Sequence, residues 1–133
     1  MLIDPKYPQS ELTSKIIGAA IEVHKNIGNG FQEIIYQRAL AIELANAGLI
    51  FSREHEMKII YKNVEIGTRR VDFFVESKVM VEIKAVTKLE NVHLAQAINY
   101  LEAYNLQVGL LLNFGATSLE FKRLMNKKYC LEL

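Results

Sequence analysis

Three charged residues interrupt otherwise apolar stretches: Asp72 within Val71-Asp72-Phe73-Phe74-Val75, and Glu82 and Lys84 within Val79-Met80-Val81-Glu82-Ile83-Lys84-Ala85-Val86. Side chains alternate faces along a strand, so Val79, Val81, Ile83 and Ala85 point one way and Met80, Glu82, Lys84 and Val86 the other. Glu82 and Lys84 are then neighbours on one face of an apolar strand, where charges need partners or a purpose. Asp72 lies on the preceding strand, and a hairpin at Ser77-Lys78 can bring it close to Glu82, with the register left open. Two carboxylates held together repel and raise each other's pKa, and a divalent cation between them removes the conflict. Magnesium keeps several waters and needs few protein oxygens, so Asp72, Glu82 and the backbone carbonyl of Ile83 form a candidate ligand set for Mg2+ or Mn2+. Lys84 adds a compact cation suited to a phosphate oxygen or an activated water. The plain alternative is an ion pair between Glu82 and Lys84 on a half-exposed strand, and periodicity alone does not choose between the two.

Further candidates fall on helical patterns. Leu89, His93, Gln96 and Tyr100 share one stripe, while Leu94, Ala97, Ile98 and Leu101 form a separate apolar one. Gln96 can orient Lys84 or a substrate phosphate, whereas His93 taken alone reads as part of a solvated face. Earlier in the chain Glu33 and Tyr36 stand one turn apart, and Glu33 in a first turn also suits the helix dipole or a capping arrangement. His24, near the end of the first helix, has a dipole reading of the same kind.

The elements that must position these residues follow from pattern and punctuation. Residues 1–9 read as an arm, and residues 10–133 as one domain. Ser10 offers an N-cap, and Leu12, Ile16, Ala19, Ala20 and Val23 recur at helical spacing until Asn26-Ile27-Gly28-Asn29-Gly30 breaks the helix. A second helix spans about Phe31 to Ala47, stopped by Gly48. Met57–Tyr61, Val71–Val75 and Val79–Val86 read as three strands in a meander. A helix over about Leu89 to Tyr104, a buried strand at Val108–Leu112 and an edge strand at Leu119–Leu124 complete the order.

Composition sets bounds on function. With 50% hydrophobic and 23% charged residues the chain is an ordinary globular one rather than a disordered one. Its formal net charge of +1 excludes the overall basic field of a DNA-coating protein, and Arg69-Arg70 or Lys122, Arg123, Lys127 and Lys128 read as a local rim or, at least as well, as a solvated face. The one cysteine, Cys130, excludes an internal disulfide framework and multi-cysteine metal sites, and its apolar neighbours suggest core filler. No uncharged apolar run is long enough for a membrane span, and Asp4, Lys6 and two prolines occupy the stretch where a signal peptide would be apolar. A soluble, cytoplasmic protein is the expectation.

Taken together, these segments resemble a known family. Gly30, Glu33 and Tyr36 carry the GxxExxY motif, and the similarity runs on through Arg70–Val75, Val81–Val86, His93–Leu101 and Gly109–Gly115. Over roughly residues 12 to 124 the sequence is similar to the GxxExxY family, a branch of the PD-(D/E)XK nuclease-like superfamily. The resemblance implies an α/β fold with a restriction-endonuclease-like α-β-β-β-α-β core, a mixed central sheet flanked by helices. It also implies that Asp72 and Glu82 bind a divalent metal and Lys84 assists the attacking water. Glu33 would complete the acidic cluster and Gln96 support it, with Tyr36, His93 and Tyr100 as accessory candidates. Val71 stands where the superfamily's name has proline, a residue that carries no ligand. The expected activity is metal-dependent phosphodiester hydrolysis of nucleic acid, DNA above RNA, with a homodimer suited to cutting both strands. Two rival readings keep the fold: a catalytically silent nucleic-acid-binding module, and a small protein-interaction subunit.

Overall fold

A computed structural model describes Asp4 and residues 6–131. The first three residues of the expected arm, Pro5, and Glu132 and Leu133 lie outside the described residues. Helix α1 (Ser10–Ile27) buries Ile16, Ile17, Ala20 and Val23, and helix α2 (Glu33–Asn46) buries Tyr36, Gln37, Leu40 and Leu44. Gly28, with φ 73°, closes α1 by returning its N–H to the His24 carbonyl. The N-cap of α1 is Gln9, not Ser10: Gln9 adopts φ 61°, and Ser10 sits inside the first turn, where its carbonyl accepts the hydroxyls of Thr13 and Ser14. The end of the arm is pinned down as well, since the Tyr7 hydroxyl donates to the Leu124 carbonyl at 2.7 Å.

Five strands follow in the order they occur, β1 (Phe51–Tyr61), β2 (Val64–Val75), β3 (Val79–Lys84), β4 (Val108–Asn113) and β5 (Glu120–Met125). All neighbours are antiparallel except β3 and β4, which run parallel across helix α3 (Asn91–Ala103). Helices α1 and α2 cover one face over Phe73, Val75, Val81, Ile83, Leu110 and Leu112, and α3 covers the other over Met80 and Leu111. Covered on both faces, β4 is buried at every position, as its unbroken apolar run predicts.

Sequence and structure part where strands leave the covered sheet. β1 begins six residues before the expected Met57 and β2 seven before Val71, both forming a ribbon turned at Lys62 and Asn63 with φ 48° and 65°. Only Phe73, Phe74 and Val75 of β2 pair with β3. Glu54, opposite Asp72 in the ribbon, has φ 49°, and here the chain twists over: Phe73 faces α1 and α2, whereas Val71 and Met57 join the core beneath α3. At its other end β3 stops at Lys84 rather than Val86. The Asn113 side chain takes over both polar groups of Val86, accepting its N–H at 2.9 Å and donating to its carbonyl at 2.9 Å. Gly115 is required there, because a Cβ would lie 2.4 Å from the nitrogen and oxygen of Val86. Cys130 is exposed and fills no core. Among the described residues no helix is long and apolar enough to cross a membrane.

Candidate metal centre

The departure of β2 from β3 creates the site. The ladder ends at Phe73 and Val81, so the next residues, Asp72 and Glu82, face each other across an opening gap. Asp72 turns its side chain into the ladder: Oδ2 accepts the Ile83 N–H at 2.7 Å, and Oδ1 accepts Gln37 Nε2 of α2 at 2.8 Å. Arg53 of β1 in turn donates to Gln37 Oε1 at 2.9 Å, which fixes the amide's orientation. Asp72 is thereby held directly by α2 and β3, with β1 bracing the Gln37 amide.

Glu82 lies on the α3 side with only 3% of its surface exposed. Its Oε2 accepts from Arg69 Nη2 at 3.2 Å, while Oε1 is buried without a hydrogen-bond partner. Burial first, and then the Asp72 charge, push the Glu82 carboxyl from 4.5 to about 7, against the pull of Arg69 and Lys84. The Arg69 guanidinium lies over the Tyr100 ring at 4.9 Å. Burial opposes its charge, yet Glu82 and then Tyr100 outweigh that and raise its pKa. Tyr104 stacks beside Tyr100 with centroids 6.5 Å apart and also feels the Arg69 and Glu82 charges. Three buried side-chain atoms lack partners among the described residues: Glu82 Oε1, Arg69 Nε and the Tyr104 hydroxyl. All three belong to this cluster, and such groups are rare enough that each needs a reason.

Lys84 ends β3 on the same strand face as Glu82, half-buried, and its ammonium has no ion pair or hydrogen bond among the described residues. The alternative of an ion pair between Glu82 and Lys84 is not realised, and Glu82 pairs with Arg69 instead. The other sequence candidates divide. Tyr100 belongs to the site through Arg69. Glu33 opens α2 exposed, one turn before Gln37 on the same stripe, with no capping or site contact among the described residues. Gln96 is exposed and touches neither Lys84 nor Asp72 among the described residues. His93 serves the start of α3, its Nδ1 accepting the Glu90 N–H at 2.9 Å. Tyr36 is buried in the core: its hydroxyl donates to the Gly28 carbonyl at 2.6 Å, accepts from Phe31 N–H at 3.1 Å, and its ring stacks on Phe114. His24 is engaged by the Ala116 carbonyl at 2.9 Å.

Sequence reasoning missed Gln37, Arg53 and Arg69 as site residues. Arg69 was assigned to a surface rim, because the twist at Asp72 that turns it inward leaves no mark in the sequence. Gln37 did leave one, a polar residue one turn beyond Glu33 at a buried position. Arg70 does face solvent, beside Glu56 at 3.8 Å.

Residues 10–124 match the PD-(D/E)XK nuclease superfamily. The chain belongs to that superfamily. The mixed five-stranded sheet with α1 and α2 on one face and α3 on the other is consistent with its restriction-endonuclease-like fold. Nucleases of that superfamily typically use divalent metals. The chain also aligns with the crystal structure of SSO0001 at 13% identity and a TM-score of 0.48, covering 86% of this chain and 65% of that one. The chain thus spans just under two thirds of that protein's length. No curated protein matches the sequence.

The residues fit a divalent cation by one observation above all: among the described residues a buried carboxylate oxygen, Glu82 Oε1, has no hydrogen-bond partner, and its carboxyl feels the charge of a second carboxylate, Asp72. Among the described residues no three His, Cys, Asp or Glu side chains converge, so this superfamily protein offers two carboxylates rather than a closed cage. That suits a hard cation which retains water.

Proposed function

We propose that the protein is a divalent-metal-dependent nuclease that hydrolyses phosphodiester bonds of DNA, and that within its superfamily it belongs to the GxxExxY branch. The carrying observation is the partnerless Glu82 Oε1 beside Asp72. A second argument comes from the backbone. Ile83 gives its N–H to Asp72, and Lys84 turns its carbonyl the other way, to Phe114 N–H at 2.9 Å. A strand residue directs N–H and C=O to the same edge, so the Ile83 carbonyl faces the gap that β2 has left. A carboxylate can replace the acceptor that a ladder partner would supply, but not the donor. Mg2+ or Mn2+ would meet that need together with Asp72 and Glu82.

A bound metal ion would lower the pKa of a water and offset negative charge at the reacting phosphate. The chain's own residues do the rest. Gln37 and the Ile83 N–H fix both Asp72 oxygens, leaving one lone pair on each. Lys84, without an ion pair among the described residues, orients the water and shares the charge building on the phosphate. Glu33, on the Gln37 stripe, can lend a further carboxylate once substrate is present, and Gln96 can reach substrate from α3. A cytoplasmic setting goes with this reading, and a two-fold dimer would suit cutting both strands at one site.

The test is a Mn2+ titration by calorimetry, followed by cleavage assays on single-stranded, duplex and branched DNA and on RNA. The parent should bind Mn2+ and the Asp72→Ala variant should not, with cleavage abolished by chelator. Equal Mn2+ binding by both proteins would refute the ligand assignment. A metal-loaded parent that cleaves none of the substrates would favour the binding-module reading.

A further inference from the structure

The partnerless atoms on the α3 side of Glu82 are of opposite kinds. Glu82 Oε1 is an acceptor that lacks a cation or donor, whereas Arg69 Nε and the Tyr104 hydroxyl are donors that lack an acceptor. The Arg69–Glu82 contact at 3.2 Å is made by Nη2 alone, not by the two-pronged fork that a settled arginine–carboxylate pair prefers. Tyr100 fixes the guanidinium plane from below at 4.9 Å, and 35% of the Arg69 side chain remains open to solvent. Both donors are shielded in the present packing, and once Arg69 shifts off Glu82 an acceptor with several oxygens and negative charge, entering from its open side, would satisfy both together. A phosphodiester group has that chemistry.

We propose that Arg69 and Tyr104 form the subsite that grips a phosphate of the DNA substrate, with Arg69 resting on Glu82 until a divalent cation takes that carboxylate. The inference rests on the metal-site reading above and adds two residues that the family resemblance did not name. It makes Arg69 a competitor of the metal in the free protein and a partner of the substrate afterwards. Tyr104 has no such first role, because its buried hydroxyl has no hydrogen-bond partner among the described residues.

Tyr104→Phe and Arg69→Gln separate these roles. Tyr104→Phe deletes a hydroxyl without a protein partner, so it should fold as well as the parent and bind a fluorescent DNA duplex, with calcium in place of magnesium, about fivefold to tenfold more weakly. Arg69→Gln keeps a hydrogen bond for Glu82 and removes the competing charge. It should bind Mn2+ about tenfold more tightly in calorimetry without DNA, and bind the duplex more weakly. Unchanged duplex affinity in Tyr104→Phe, or unchanged Mn2+ affinity in Arg69→Gln, would overturn the proposal while leaving the metal-dependent nuclease reading intact. Mn2+ binding that is absent from the parent but present in Arg69→Gln would support Arg69 as the occupant. Absence of Mn2+ binding from both would end the metal reading and this inference with it.

Discussion

Replacing Glu82 by glutamine should make the metal-free protein relatively more stable as pH rises. Burial and the neighbouring Asp72 hold the Glu82 carboxyl near pH 7 instead of 4.5, so the folded chain binds this proton more tightly than the unfolded chain does. Its stabilising effect is therefore complete below about pH 4.5 and is lost as pH rises through about 7. At about 1.4 kcal/mol per tenfold change in proton affinity, the loss between those limits is about 3 kcal/mol. Movement that admits water to the carboxylate reduces it, so a change of about 1 to 3 kcal/mol is expected. Glu82→Gln carries no titrating group at this position. Arg69 stays charged throughout the range, so its lost partner shifts the variant by a constant amount. The assay is urea unfolding followed by circular dichroism at pH 4.5, 6, 7 and 8 with chelator present, comparing parent and variant at each pH so that other titrations cancel. The variant should gain on the parent by that amount between pH 4.5 and 8. Parallel pH profiles would show that Arg69 already holds Glu82 fully ionised, and the argument from burial would be refuted.

Three further substitutions test other parts of the reasoning. Gln37→Leu removes the Asp72 Oδ1 donor and the Arg53 acceptor, and should cost about 1 to 3 kcal/mol in urea unfolding while weakening Mn2+ binding severalfold; unchanged Mn2+ affinity would mean that Asp72 needs no positioning from α2. Gly115→Ala places a methyl group 2.4 Å from the Val86 backbone and should cost about 3 kcal/mol or more, so a Tm close to the parent's would contradict the packing described here. Lys84→Met should lower turnover on cleavable DNA by about 10²- to 10³-fold with little change in duplex affinity, and Lys84→Arg should not restore it; full activity in either would remove Lys84 from the chemistry.

The legible parts of the fold and the site share a property: they are covered on both faces or on one helical stripe. Asp72, Glu82 and Lys84 stood out because their neighbours are apolar, and β3, β4 and the three helices were readable for the same reason. The ribbon of β1 and β2 was readable only in part. Beyond Phe73 it projects past β3, and residues 58, 60–66, 68 and 70 are exposed, so no alternation marks it. Its turn uses Lys62-Asn63 in place of the Asn-Gly pair that would have announced a hairpin. Ala85 and Val86 look like strand because they are apolar, but a side chain of Asn113, distant in sequence, decides their backbone partners. Cys130 misled by its neighbours, Tyr129 and Leu131, which are themselves exposed.

The site lies where the sheet gives up pairing, and the two facts have one cause. A continued ladder would set Asp72 opposite Glu82 with both backbones satisfied, leaving no room for a ligand and two like charges side by side. Twisting β2 away at Asp72 opens the gap, and it costs Ile83 its ladder partner. The Asp72 side chain makes good half of that loss by accepting the Ile83 N–H, which fixes the carboxylate to β3 itself. Glu82 is fixed to the same strand, and Phe73, Val81, Ile83 and Leu112 pack tightly just beneath. The two carboxylates therefore cannot relax apart by moving their backbones. Their repulsion has only three outlets: a proton on Glu82, a cation from the protein, or a cation from solution. The first two are visible in the raised Glu82 pKa and the one-pronged Arg69 contact. Neither gives Glu82 Oε1 a hydrogen-bond partner, and under the proposed reading a divalent ion is the outlet that would serve it together with the Ile83 carbonyl.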